Sequence, residues 1–348
     1  MTPKKSIIPR MPAIFFILTA TSSLGATLKP GPAQFATINR AVDLVFTDSF
    51  DAATALISRY NDTIAGQPIY HLLQASILYA RRMDSEDYSR EREFMTNVNR
   101  SIDALDKWID KNPDDAWAYF LWGSAYGYKA VWQGQKGDWL KSLLSGLKAK
   151  SRFFDALGLD STLYDSYTGT GSYHYWSTVK LRKFLPFVAD NRDEGLRELK
   201  IAMDSSLISS KAAGFGYGWA LLNEHRYYDA LKIANHLEGE THGGRSSLWL
   251  LGAIYWANGN LRKAEESYGM LIRSLEQVGN QNFFNLIYCR YRKGVCEYDL
   301  HDYKSAKFEF DALMAYDPPK SVRERHSQTY LRAKDYLKKI KAHGIQPE

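Results

Sequence analysis

The sequence predicts an all-α protein: an α-solenoid of about seven antiparallel helical hairpins with a C-terminal capping helix. Three observations carry that expectation. A glycine is followed twelve residues later by an alanine at Gly218 and Ala230, at Gly252 and Ala264, and at Gly294 and Ala306. The first two pairs stand thirty-four residues apart, a period at which helical hairpins stack side by side. No segment reads as a convincing strand, and none is of low complexity. The spacing has a packing cause: where two helices of a hairpin cross, side chains must be small, so Gly on the first helix faces Ala on the second.

Taken in order, residues 1–25 read as an export signal. Lys4, Lys5 and Arg10 are basic, Met11 to Leu18 is mostly apolar, and Ser23-Leu24-Gly25 offers small residues for cleavage after Gly25, or after Ala26. The apolar run is well short of the roughly 20 residues a bilayer span needs. Retention as an uncleaved anchor is the alternative; no cysteine follows the run, which excludes a bacterial lipoprotein anchor. Residues 26–34, with Pro30, Gly31 and Pro32, read as a flexible lead-in. A first hairpin follows from Phe35 to Tyr60, turning near Asp48 and Ser49, and a second from Pro68 to Lys111. Asn112-Pro113-Asp114-Asp115 stops one helix and caps the next. In the third hairpin Gly123 and Ala149 are twenty-six residues apart instead of twelve. Shared equally, that excess adds about two turns to each helix and keeps the same faces in contact. Gly171 and Gly195 mark the fourth hairpin, which Phe184-Leu185-Pro186-Phe187 interrupts as an apolar loop expected to fold back on the array or over part of its groove. Residues 209–318 hold the three regular hairpins, and residues 319–348 a Lys-rich capping helix, Val322 to Ala342, and tail.

Around Gly252, the residues Leu248, Leu251, Tyr255, Ala264 and Tyr268 resemble the tetratricopeptide (TPR) consensus, as do Phe310, Leu313 and Pro318 around Ala306. The hairpin at Gly218 departs from it, with Gly214 and Ala234 where bulkier residues are usual. The likeness is looser over residues 35–208. There Ala116-Trp117-Ala118-Tyr119 and Tyr173-His174-Tyr175-Trp176 resemble exported bacterial TPR proteins that carry no assigned activity. The resemblance implies a concave groove, lined by the first helix of each hairpin, that receives a peptide or partner protein. Mapped onto this chain, the lining residues are Trp117, Phe120 and Tyr128, then Tyr175 and Trp176, Phe215 and Trp219, Trp249 and Trp256, and Tyr288, Tyr291 and Tyr298. Charges are scarce there, Asp165 and Asp299 being the exceptions. The Lys, Arg and Asn clamp by which some family members hold a C-terminal carboxylate is absent from these places. The rings have two readings: core packing between neighbouring first helices, which helical spacing alone would produce, or an aromatic groove for an extended peptide or for stacked sugar rings.

Loss of residues 1–25 takes Lys4, Lys5 and Arg10 from a formal net charge of +6 and leaves +3, too mild to argue for nucleic acid. Positive charge clusters at Lys136 to Arg152, at Lys180, Arg182 and Lys183, and from Arg323 to Lys341. Such helix faces are ordinarily just solvated, with a weak contact to an anionic membrane or cell-wall polymer as the other reading. Cys289 and Cys296 lie seven residues apart on one helix, about 10.5 Å of rise, too far to bridge, and read as buried apolar residues.

No catalytic signature stands. Gly169-Thr170-Gly171-Ser172 lacks the third glycine and preceding strand of a phosphate loop, and Ser172 and His174, two residues apart, point to different sides of a helix. His236, Glu238, Glu240 and His242 crowd one turn but match no standard metal spacing. No cofactor is expected. The chain is thus expected to be a periplasmic or secreted, non-enzymatic TPR scaffold that binds a protein or peptide partner through an aromatic concave groove. A glycan or small-molecule receptor is the alternative.

Overall fold

A computed structural model describes residues 26–59, 68–182, 187, 189–278 and 282–343. The export signal and Phe184-Leu185-Pro186 lie outside the described residues. Among them the chain is helical with no strand, as a run of antiparallel hairpins. The pairs are α1 Pro32–Phe46 with α2 Phe50–Arg59, α3 Pro68–Ser85 with α4 Glu91–Ile109, and α5 Ala116–Gln135 with α6 Trp139–Leu159. Then come α7 Ser166–Leu181 with α8 Arg192–Ser205, α9 Ser210–Asn223 with α10 Tyr227–Thr241, α11 Arg245–Ala257 with α12 Leu261–Glu276, and α13 Phe283–Asp299 with α14 Tyr303–Ala315. Helices α15 Lys320–Arg325 and α16 Ser327–Ala342 follow.

The crossing glycines do more than face an alanine. A Cβ on Gly123 would fall 2.8 Å from the ring of Phe153, one on Gly294 2.9 Å from Phe310, and one on Gly252 3.3 Å from Tyr268. Each ring stands four residues, about one turn, beyond Ala149, Ala306 or Ala264 on the second helix, so the glycine is a socket for an aromatic knob. In the fourth hairpin both helices contribute glycine and the backbones themselves touch. A Cβ on Gly195 would lie 2.7 Å from the Gly171 carbonyl and from the Tyr175 nitrogen. The fifth hairpin has only Ala234 where the knob belongs, and Leu250 from α11 fills the socket at Gly218 instead, 2.7 Å from the position of its Cβ.

The turns within hairpins share one geometry. Asp48, Gly137, His225, Gly259 and His301 all take the left-handed conformation just past a first helix. The residue that follows it donates back to the helix, as Asn260 N to Tyr255 O (2.9 Å) and Asp302 N to Glu297 O (2.9 Å). This closure satisfies the last free carbonyls and sends α12 and α14 back antiparallel. The third hairpin is long on both sides, with 20 residues in α5 and 21 in α6 against 13 in α11, so its extension is shared between the two helices. Cys289 and Cys296 are buried and unbridged on α13; burial pushes the Cys296 thiol up to about 12.

Two expectations need correction. The lead-in is tied down: Leu28 is buried, its N–H and the Thr27 hydroxyl each donate to the Asp115 carboxylate at 2.8 Å, and α1 already starts at Pro32. Pro at the first helical position loses no hydrogen bond. Asp115, read as a helix cap, instead spends its carboxylate on these two groups and on the Trp108 indole N–H at 2.9 Å. The last helix is also not continuous. It breaks at His326, whose ring packs 4.4 Å from Phe284.

Gly195→Ala should destabilise the protein by about 1–3 kcal/mol, since a methyl there meets backbone that cannot turn aside. Gly239→Ala on α10, with nothing within 4 Å of the new methyl, should stabilise it by about 0.5–1 kcal/mol. Urea melts followed by far-UV circular dichroism check both; equal effects would refute the socket geometry.

Candidate binding surface

The first two hairpins do not simply begin the array; they close it. Phe46 at the end of α1 stacks on Phe215 of α9 with ring centroids 5.0 Å apart, and Lys211 of α9 reaches Asp43 at 3.0 Å. Near the start of α1, Phe35 packs edge-on to Trp117 of α5 at 5.6 Å. The centre of the closure is Arg245, the first residue of α11 and only 5% exposed. Its guanidinium grips the Asp84 carboxylate through Nε (2.6 Å) and Nη2 (2.7 Å), and its backbone N–H donates to Asp48 at 2.8 Å. The side-chain amides of Asn282 and Asn285, at the start of α13, donate to the Asp84 carbonyl, and Arg325 pairs with Glu86 at 2.9 Å. The N-terminal ends of α5, α9, α11 and α13 thus converge on α1 and on the end of α3.

This closure divides the predicted groove residues. Trp117 and Phe120 are buried with Phe35 and Phe153, and Phe215 is buried under Phe46. Tyr175 is fully buried, its hydroxyl donating to the Ala220 carbonyl at 3.0 Å and meeting Glu224 at 2.7 Å. These four belong to the core, and a groove that exposes them is corrected: the chain's own packing occupies the places a ligand would. Tyr291 and Tyr298 are half-buried against Tyr336 of α16, at 6.4 and 4.9 Å between centroids. Trp176 lies half-buried against the edge of Tyr175 at 4.9 Å. Asp165, also expected on the groove, is buried and accepts the backbone N–H groups of Leu207, Ile208 and Ser209 at 2.8–3.0 Å.

What remains open is smaller. Trp219 is exposed, and Trp249, Trp256 and Tyr288 are half-buried. Trp249 and Tyr288 approach to 5.6 Å across the sixth and seventh hairpins. Arg292, which groove spacing did not single out, lies 4.5 Å over the Trp256 ring and 5.0 Å over Tyr288, and its Nε donates to the Tyr288 hydroxyl at 2.9 Å. The surface is therefore aromatic with a held guanidinium, a combination that offers flat apolar area and a fork of donors for a carboxylate or carbonyl.

The titratable clusters find their partners within the chain. His174 Nδ1 meets Glu198 at 2.7 Å, and burial pushes the Glu198 carboxyl up. Arg290 reaches Glu309 at 2.7 Å, while Lys293 bridges Glu297 (2.6 Å) and Glu309 (2.9 Å). His236 approaches Glu240 at 3.5 Å. Among the described residues no group of three His, Cys, Asp or Glu is placed to hold a metal ion, and no helix is long and apolar enough to cross a membrane.

Burial pushes Asp48 up to about 6, more than Arg245 pulls it down. Its folded-state value is raised, so the stability it contributes is present below the usual carboxylate range and is lost as pH rises through about 6. Asp48→Asn, which keeps an acceptor for the Arg245 N–H, should raise stability by about 1–3 kcal/mol at neutral pH and by little in acid. Asp84→Asn strips the guanidinium of its paired charge and should cost about 3 kcal/mol. Thermal melts of both variants across pH distinguish the two roles.

No family model and no curated protein matches the chain. Among solved structures it is similar to the anaphase-promoting complex hetero-tetramer Cut9–Hcn1, with 12% identity and a TM-score of 0.54 over 87% of this chain and 51% of that one. It is also similar to PilW, a type IV pilus biogenesis factor, with 13% identity and a TM-score of 0.49 over 70% of this chain and 96% of that one. A TPR repeat-containing protein from Cytophaga hutchinsonii shares 14% identity with a TM-score of 0.44, covering 82% and 98% of the two chains. Paired helices in sequence order, the glycine sockets and the likeness to Cut9–Hcn1 lead to one architecture: the chain folds as a tetratricopeptide-like α-solenoid.

Proposed function

We propose that the protein is an exported, non-enzymatic scaffold that binds a protein or peptide partner on the face formed by the sixth and seventh hairpins. The observation that carries this reading is the half-open cluster of Trp249, Trp256, Tyr288 and Arg292. Aromatic rings held by their neighbours lose little freedom on binding, and Trp, Tyr and Arg are the residues that dominate interface energies. Most of the rest of the aromatic series is taken up by packing, Trp219 on the fifth hairpin being exposed, so a partner is expected to meet two hairpins rather than the full array. Arg292 adds a charge to a surface that groove spacing read as nearly uncharged, and it favours a peptide bearing an accessible carboxylate over a neutral glycan. The TPR fold supports a protein-interaction role; the sequence of residues 1–25 supports export.

The test is affinity capture from the cell envelope with the tagged mature chain, followed by titration of the captured partner against variants. Trp256→Ala should weaken binding by about thirtyfold, or ~2 kcal/mol, and Arg292→Leu should both weaken it and flatten its salt dependence. A partner held equally by the Trp249→Ala, Trp256→Ala double variant, itself folded by circular dichroism, would place recognition elsewhere. Sugar binding that survives salt and vanishes in that double variant would establish the glycan reading instead.

A further inference from the structure

Helix α6 is apolar on two opposite sides. One side carries Ser145, Ala149, Phe153 and Ala156, all buried against the rest of the third hairpin and its neighbours. The other carries Trp139, Leu140, Leu143, Leu144 and Leu147, each between 45% and 70% exposed, with Phe154 about two turns further along at 42%. Five large apolar side chains repeating at one and four residues make a continuous stripe, not the scattered single exposures normal for a soluble surface. Among the described residues nothing covers it.

The rim of the stripe is basic. Lys141 and Lys148 follow each other along one border, and Lys150 stands on the other, its ammonium 4.8 Å over the Tyr173 ring. Lys180 of α7 reaches to 5.9 Å over the ring of Trp139 itself. From Lys136 to Arg152 the chain carries five cations against the single acid Asp138. A helix whose exposed face is Leu and Trp and whose borders are Lys has the pattern of one that lies in the plane of a lipid interface. There the apolar side chains enter the acyl boundary, the Trp ring sits at headgroup level, and the lysine stems reach up to phosphate. A protein partner with a matching apolar groove would meet the same leucines but would give no reason for lysine on both borders.

We infer that the outer face of α6 is a peripheral membrane-docking surface that takes anionic phospholipid. It lies on the third hairpin, separate from the aromatic cluster of the sixth and seventh, so it stands or falls independently of the scaffold reading. The third hairpin's two extra turns per helix acquire a purpose here, because they add the segment from Trp139 to Leu147 that carries the stripe.

Flotation of the whole mature chain with vesicles of mixed phosphatidylglycerol and phosphatidylcholine, beside vesicles of phosphatidylcholine alone, tests this. The protein should partition onto the anionic vesicles, and the difference in emission between wild type and Trp139→Phe should move to the blue when it does. Leu140→Ser with Leu144→Ser should lower the partition coefficient by at least about tenfold. Lys141→Glu and Lys148→Glu should each lower it by about fivefold or more, and added salt should do the same. All four positions are exposed, and unchanged circular dichroism and melting temperature establish that the variants are folded. No binding to anionic vesicles would overturn the proposal, as would equal binding by the double Leu variant. A self-association of the free protein that this variant abolishes would make the face an interface between copies. A Trp139 emission already blue in the absence of lipid would mean that the chain covers the stripe itself, and either result would overturn lipid docking.

Discussion

The contact on which the rest of this solenoid depends is the grip of Arg245 on Asp84 and Asp48. A repeat array is stable within but exposed at its ends, because a terminal hairpin has no neighbour for its outer apolar face. Here the N-terminal end is met by later hairpins: α1 packs on α5 and α9, and the end of α3 is held by the starts of α11 and α13. A guanidinium buried this deeply would be costly alone. The Asp84 carboxylate and the Ser274 hydroxyl, 3.1 Å away, satisfy it, while the left-handed backbone at Asp48 aims its own carboxylate at the Arg245 N–H.

Closure determines where this chain can meet another molecule. In an open array every first helix presents its inner side chains to solvent, and the aromatic series from Trp117 to Tyr298 would line one long groove. With the first hairpins packed inward and α16 packed over Tyr291 and Tyr298, most of that series becomes core. The free aromatic area contracts to a patch centred on Trp256 and Arg292, and a second apolar surface, on α6, faces outward on a different hairpin. The two surfaces differ in chemistry: one is flat rings with an oriented guanidinium, the other an aliphatic stripe edged by ammonium groups.

Much of the fold was legible in the sequence because local rules govern it. The Gly and Ala spacing, the turn near Asp48 and Ser49, and the sharing of extra length between α5 and α6 all follow from contacts within one hairpin. The sockets were half legible. The alanines mark the crossings, and Tyr268 and Phe310 match the repeat consensus, but the seating of these rings and of Phe153 against glycine is a property of the packed hairpins. Closure left no periodic trace, since Arg245 meets partners 161 and 197 residues earlier in the chain. For the same reason nothing local to Leu28 or Asp115 shows that the two residues meet across the fold. Of the candidate site, the aromatic positions on α11 were legible and the exposure of each ring was not, because burial depends on which distant helix arrives. Arg292 was passed over because it falls outside the groove positions of a regular repeat; its stacking on Trp256, a full hairpin earlier, gives it its role.

Carbodiimide cross-linking at zero length tests closure most directly, because it joins an amine to a carboxylate only where they already touch. Lys211 and Asp43 lie 3.0 Å apart, although 168 residues separate them in sequence. Lys307 and Asp311, 2.6 Å apart on one helix, provide an internal standard. Closure predicts a Lys211–Asp43 cross-linked peptide from the monomer at a yield comparable with the standard. A standard that forms while the long-range peptide is absent would mean that the array is open in solution, and that its full aromatic face is available after all.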